Sequence, residues 1–161
     1  MSALTLFLAL LLASSVLHKA LAHKRLAQVA GVLTGLRGQG MLALIVAGTI
    51  ELVAAACLLV PATHFTGGLL AALVWAGYAL TLLRKRGRVL DCGCDLVARE
   101  KAVDGLLVAR PAALAVLALI AGAMPFAELE IETPFAAAGL LALYLAGSEL
   151  LAIPHPRWRK S

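Results

Sequence analysis

Five stretches of this chain are apolar over about twenty residues each, and little else in it constrains the fold so tightly. They run over about 3–22, 41–60, 65–83, 106–124 and 135–153. A helix rises 1.5 Å per residue, so about twenty residues cross the roughly 30 Å of bilayer hydrocarbon. With 62% hydrophobic and 14% charged residues, a soluble domain of 161 residues would have far more apolar surface than it could hide. Aromatics are few and Ala and Gly many, which suits closely packed membrane helices. The expected fold class is therefore all-α: a polytopic membrane helical bundle of about five transmembrane helices, a four-helix core plus one. It forms a single integral membrane domain over 1–161, with a longer loop at 84–105.

The formal net charge of +5 could suggest nucleic acid. The basic residues instead sit at the ends of the apolar runs, where lipid headgroups lie, so the partner is the lipid bilayer and not nucleic acid. Lys24, Arg25 and Arg37 follow the first span, with Lys19 just before its end; Arg84, Lys85, Arg86, Arg88, Arg99 and Lys101 follow the third; Arg157, Arg159 and Lys160 end the chain. The two remaining connections carry no Lys or Arg, and the second holds Glu128, Glu130 and Glu132. Positive charge favours the cytoplasmic side. The expected placement is thus the bacterial inner membrane, N-terminus outside and C-terminus cytoplasmic. A basic, partly amphipathic stretch from His23 to Arg37 is expected at the interface. The first span lacks a positive n-region and reads as an uncleaved helix.

The loop over 84–105 carries the most unusual residues, "RGRVLDCGCDLVARE". Cys92 and Cys94 can bond only if the backbone between them bends, and Gly93 permits that. Such a ring closes almost no loop, so it adds little stability; a strained ring is the exchangeable kind. Asp95 is a plausible N-cap for a short helix through Leu96 to Val103, which would place Cys94 by a helix N-terminus. That terminus, with Arg84, Lys85, Arg86 and Arg88, favours thiolate, whereas Asp91 and Asp95 oppose it. Three readings compete: a thiol–disulfide exchange centre, a soft-metal (Cu, Zn or Hg) site with Cys92 and Cys94 as ligands, and a coincidence in a loop.

An ionisable side chain in hydrocarbon costs about 2.5–3.5 kcal/mol on insertion scales, so each needs a reason. Glu51, near mid-span, handles protons for thiol chemistry, touches a bound quinone, or fixes packing. Arg110 and Glu149 lie at similar depth and are placed to pair, or Arg110 snorkels to headgroups. Pro111 removes one helical hydrogen bond beside Arg110. Cys57 reads as a buried core residue, His64 as a solvated turn residue, and Trp75 and Tyr78 as helix packing.

Together "LHK" closing the first helix, the acid in "TIELVAAACLLV", "RGRVLDCGC" and "LLVARPAALAVLAL" resemble the MauE/DoxX-like family of redox-associated membrane proteins, most nearly its methylamine utilisation members. The resemblance covers most of the chain, and the Cys-Gly-Cys between spans is its specific element. It implies a helical bundle architecturally similar to vitamin K epoxide reductase-like enzymes. It also implies disulfide chemistry in the maturation of exported proteins, with a thioredoxin-fold partner, Cys92 and Cys94 as the redox pair, and His18, Lys19, Glu51 and Arg110 as recurring polar positions. The functional expectation is a membrane thiol–disulfide oxidoreductase exchanging electrons with that partner or a quinone. A soft-metal carrier and a non-catalytic DoxX-like assembly subunit are the alternatives. A maturase of exported proteins wants its cysteines outside, while the charge count puts them inside. A different span count, a re-entrant loop, or outward transfer of reducing equivalents each reconciles the two.

Overall fold

In the computed structural model of the protein, residues 2–35, 38–86, 89–91, 100–102, 105–126, 128 and 130–152 are described. The elements are α1 (Ala3–Leu21), α2 (His23–Thr34), α3 (Gly40–Leu59), a 3-10 turn (Pro61–Thr63), α4 (His64–Arg84), β1 (Val89–Asp91), β2 (Glu100–Ala102), α5 (Gly105–Ala123) and α6 (Thr133–Ala152). Five of the helices, α1, α3, α4, α5 and α6, are long and apolar enough to cross a membrane. Helix α1 packs on α3, α3 on α4, α4 on α5, and α5 returns to α1; α6 lies outside this ring against α1. The expected all-α bundle, four helices plus one, is what the chain builds.

Its packing inverts the habit of soluble proteins. Ala54, Ala55, Ala71, Ala72, Ala118, Ala121 and Ala137 are buried, while Leu42, Ile45, Leu52, Leu73 and Leu143 face outward. Lipid tails are as apolar as leucine, so nothing drives leucine inward; small side chains go inside because they let backbones approach. One close approach joins α4 to α5, the most extensive helix pair: a Cβ on Gly68 would lie 2.6 Å from the Cα of Gly122 and 2.8 Å from the Ala118 carbonyl oxygen. Hydroxyls within the spans return their protons to the preceding turn, as Ser14 does to the Leu11 carbonyl at 2.8 Å and Ser148 to Leu145 at 2.7 Å.

Helix α2 ends at Gly35, whose φ of 77° is the left-handed cap that glycine adopts at least cost. It packs along the first turns of α3, with Leu26 buried. The contact is tight enough that a Cβ on Gly40 would collide with the Ala27 carbonyl.

Two expectations are overturned. His64 is not a solvated turn residue: it opens α4 and is 5% exposed. Pro61 and the turn after it redirect the chain so that the imidazole enters the bundle. There Nδ1 lies 3.1 Å from the Leu58 carbonyl oxygen and Nε2 2.8 Å from that of Ala121, with Phe126 edge-on at 5.3 Å. The short helix expected through Leu96 to Val103 is not formed at 100–102, which is strand β2, antiparallel to β1 with Val89 opposite Ala102, Leu90 opposite Lys101 and Asp91 opposite Glu100. A one- or two-turn helix lacks the length to offset its nucleation, whereas strand pairing satisfies the same backbone groups across the hairpin.

The up-and-down order puts the C-termini of α4 and α6 and the N-termini of α3 and α5 at one end, which the chain from α1 reaches through α2. That is also where the β-hairpin leaves the bundle. It is called the hairpin end below, and the end carrying the Pro61–Thr63 turn the far end.

Candidate functional site

Glu51 sits in the middle of α3 and is 1% exposed. Lys19 Nζ, from the last turn of α1, donates to both of its carboxylate oxygens at 2.7 Å and also to Ser15 Oγ at 2.7 Å. The Tyr78 hydroxyl of α4 donates to Glu51 Oε1 at 2.5 Å, and the Lys19 ammonium stands 5.4 Å from the Tyr78 ring centroid. One carboxylate thus ties three helices together. A lone ion here would cost several kcal/mol; opposite charge plus a phenol answers both oxygens and offsets that cost.

Helix α2 explains how a residue at the end of α1 meets one at the centre of α3. Gly40 stands against Ala27 and Gly31. From that level back to Lys19, and from Gly40 up to Glu51, the chain climbs about 15 Å on either side at 1.5 Å per residue.

Beside this cluster lies a cavity of about 280 Å³. Every helix contributes to it: Ser15, His18 and Lys19 from α1, Leu26, Val29 and Ala30 from α2, and Ala43, Leu44 and Ala47 from α3. The others give Trp75 and Tyr78 (α4), Arg110, Pro111 and Leu114 (α5), and Tyr144 and Glu149 (α6). Arg110 Nη2 lies 3.5 Å from the Tyr144 hydroxyl oxygen, with the guanidinium carbon 5.4 Å from that ring's centroid. Tyr144 is held edge-on against Phe7, centroids 6.1 Å apart. Arg110 and Glu149, set at similar depth by the sequence, line this same cavity. All these residues come from the hairpin half of their helices.

Of the residues singled out from the sequence, the structure brings Lys19, Glu51 and Arg110 to one place. Asp91 ends β1 opposite Glu100. Arg88, Cys92, Gly93, Cys94 and Asp95 lie outside the described residues. In sequence, 92–99 join the paired strands, so the chain enters and leaves the cysteine segment at the hairpin end. Cys57 is a free thiol near the far end of α3, half-buried rather than fully buried as expected. Among the described residues no three His, Cys, Asp or Glu cluster as a metal site. Sequence reasoning missed Ser15, Tyr78 as a carboxylate partner, and Tyr144. For Tyr78 the available signal was an intramembrane acid in need of a donor, with few other hydroxyls on the neighbouring helix.

Comparison with known proteins adds the family. A search of curated proteins and one of solved structures found no match. The family model described as methylamine utilisation protein MauE matches residues 1–125, from the first helix through the cysteine segment to the end of α5. The chain therefore belongs to the MauE family of multi-pass membrane proteins.

Proposed function

We propose that this protein is an integral membrane thiol–disulfide redox protein in which Cys92 and Cys94 cycle between dithiol and disulfide. A thiolate attacks the disulfide of a thioredoxin-fold partner, a mixed disulfide forms, and the neighbouring thiol resolves it, leaving one protein oxidised and the other reduced. The setting is the bacterial inner membrane, with the hairpin end cytoplasmic by the charge count, and the process served is maturation of exported proteins. Arg84, Lys85, Arg86 and Arg88 stabilise the attacking thiolate, and Gly93 lets the ring close.

The observation that carries this reading is the hairpin. Its strand β1 stops at Asp91, and the Cys-Gly-Cys follows at once in the connection to Glu100. Membership of the MauE family agrees with it.

Trapping tests the proposal. Cys94→Ser and Cys92→Ser variants, isolated from cells after acid quenching of thiols, are expected to differ. One of them accumulates a covalent complex with a thioredoxin-fold protein that dithiothreitol dissolves. If neither variant yields such a complex, and the double variant supports everything the wild type does, the proposal fails. Copper or zinc retained by both thiols under reducing conditions would replace it with a metal-binding function.

A further inference from the structure

His64 is a buried titratable side chain for which thiol chemistry at the other end of the bundle has no use. It opens α4 and stands between the last turns of α3 and α5, the two helices that flank α4. Both of those helices end on a backbone oxygen deprived of its usual partner. A helical carbonyl accepts from the N–H four residues on. For Ala121 that residue is Pro125, which has no N–H, and the Met124 nitrogen reaches the oxygen only at 3.3 Å. For Leu58 it is Ala62, carried off in the turn that Pro61 opens. The imidazole stands against both oxygens, Nδ1 at 3.1 Å from that of Leu58 and Nε2 at 2.8 Å from that of Ala121.

A carbonyl oxygen only accepts. A neutral imidazole has one N–H and one bare nitrogen, so it satisfies one of these oxygens and sets a lone pair against the other. The doubly protonated ring donates to both, and bonds from a charged donor are roughly twice as strong as neutral ones. The negative dipole ends of α3 and α5 favour a cation there, against the single positive end of α4. Neither connection at this end holds a Lys or Arg. The other charged or titratable groups on the surrounding elements are few. Helix α3 brings the Cys57 thiol and, two turns lower, Glu51 bonded to Lys19; α4 and α5 bring Arg84 and Arg110 at their opposite ends. Beyond Phe126, which meets the ring edge-on, Glu128, Glu130 and Glu132 are exposed, and their charge too favours a cation.

We infer that His64 is a proton-binding site: the folded bundle holds its ring with a proton on each nitrogen, and the second proton ties α4 to the ends of α3 and α5 at once. The proton comes from water and returns to it, and no other covalent bond changes. Its loss leaves one carbonyl facing a bare nitrogen, so one of the two ties lets go. The sign follows from that: the stabilisation is complete while the ring is doubly protonated and disappears as pH rises. By the charge count this end faces outside, which makes the proton an external one. The site stands independently of the cysteine chemistry.

Nitrogen-15 NMR of histidine-labelled protein in nanodiscs tests the protonation directly. The His64 signals are those lost in His64→Gln or, should that variant not fold, those in contact with the Phe126 ring. Both ring nitrogens are expected to carry a proton at about pH 6. One bare nitrogen at every pH at which the protein is folded overturns the inference. Melting temperature gives the second readout, as the gap between wild type and His64→Gln, which cancels the other histidines. Glutamine neither gains nor loses a proton, so the gap should narrow by about 3 °C or more from about pH 5.5 to about pH 8. A gap that stays constant or widens over that range overturns the inference. Cys57→Ser in both chains is expected to leave the narrowing in place; its disappearance would assign the titration to the thiol and overturn the inference as well.

Discussion

Lys19, Glu51 and Tyr78 show what one buried acid demands of its neighbours. Removing one member of a buried ion pair strands the other, at a cost of about 3–5 kcal/mol, whereas removing both is often close to neutral. Lys19→Met or Glu51→Leu should therefore sharply lower resistance to unfolding, read as the midpoint of an SDS titration in mixed micelles. The double variant Lys19→Met/Glu51→Leu should recover most of the loss. Two independent, additive losses would mean that the carboxylate and the ammonium do not stabilise one another. The sequence made Glu51 legible as a residue in need of explanation and Lys19 as a residue at a helix end. It did not reveal their union, because that depends on how far α2 runs alongside α3, a tertiary fact with no signature in either residue.

Among the elements, the apolar helices were plain in the sequence because a run of about twenty apolar residues has no other stable solution in a bilayer. Their faces were not, since in hydrocarbon there is no polar side to read and the inward stripe is marked only by smallness. The short segments fared worst. Glu100–Ala102 pairs as a strand and not as a helical turn, a contest between weak local preferences decided by what lies across the hairpin. His64 is buried because the Pro61 turn rotates it inward. The glycines offer the sharpest test of helix packing. Gly68→Leu must push α4 off α5, because even its Cβ would stand 2.6 Å from the Gly122 backbone; overpacking of this kind costs about 1–3 kcal/mol or more. At Gly77 nothing lies within 4 Å of the same atom, so Gly77→Ala should hold or gain up to about 1 kcal/mol. Equal melting temperatures for the two variants would refute the packing described for this pair.

At the scale of the whole molecule, the ring of four helices sets two ends apart with different jobs. Cys57 lies near the far end of α3, and one span, α4, separates it in sequence from Cys92 at the hairpin end. A variant retaining only Cys57 and one retaining only Cys92 should therefore react with an impermeant maleimide from opposite faces of sealed vesicles. Cys92 is expected to react from the cytoplasmic face by the charge count. Labelling of both from one face would break the single-crossing connection between them. The candidate site was half legible at this scale: its polar residues stood out one by one against the apolar background. Their convergence on a shared hollow needed the bundle to close, and the two cysteines remain known by their place in the chain.

The far end is also where the molecule is fastened. Gly68 and Gly122 touch backbone to backbone, and the His64 ring spans the carbonyls of Leu58 and Ala121 at the last turns of α3 and α5. The opposite end encloses the hollow. Three helices are thus pinned together at one tip and share a hollow at the other. A side chain enlarged at the pinned tip therefore meets backbone at once, whereas one enlarged at the hollow has room to occupy.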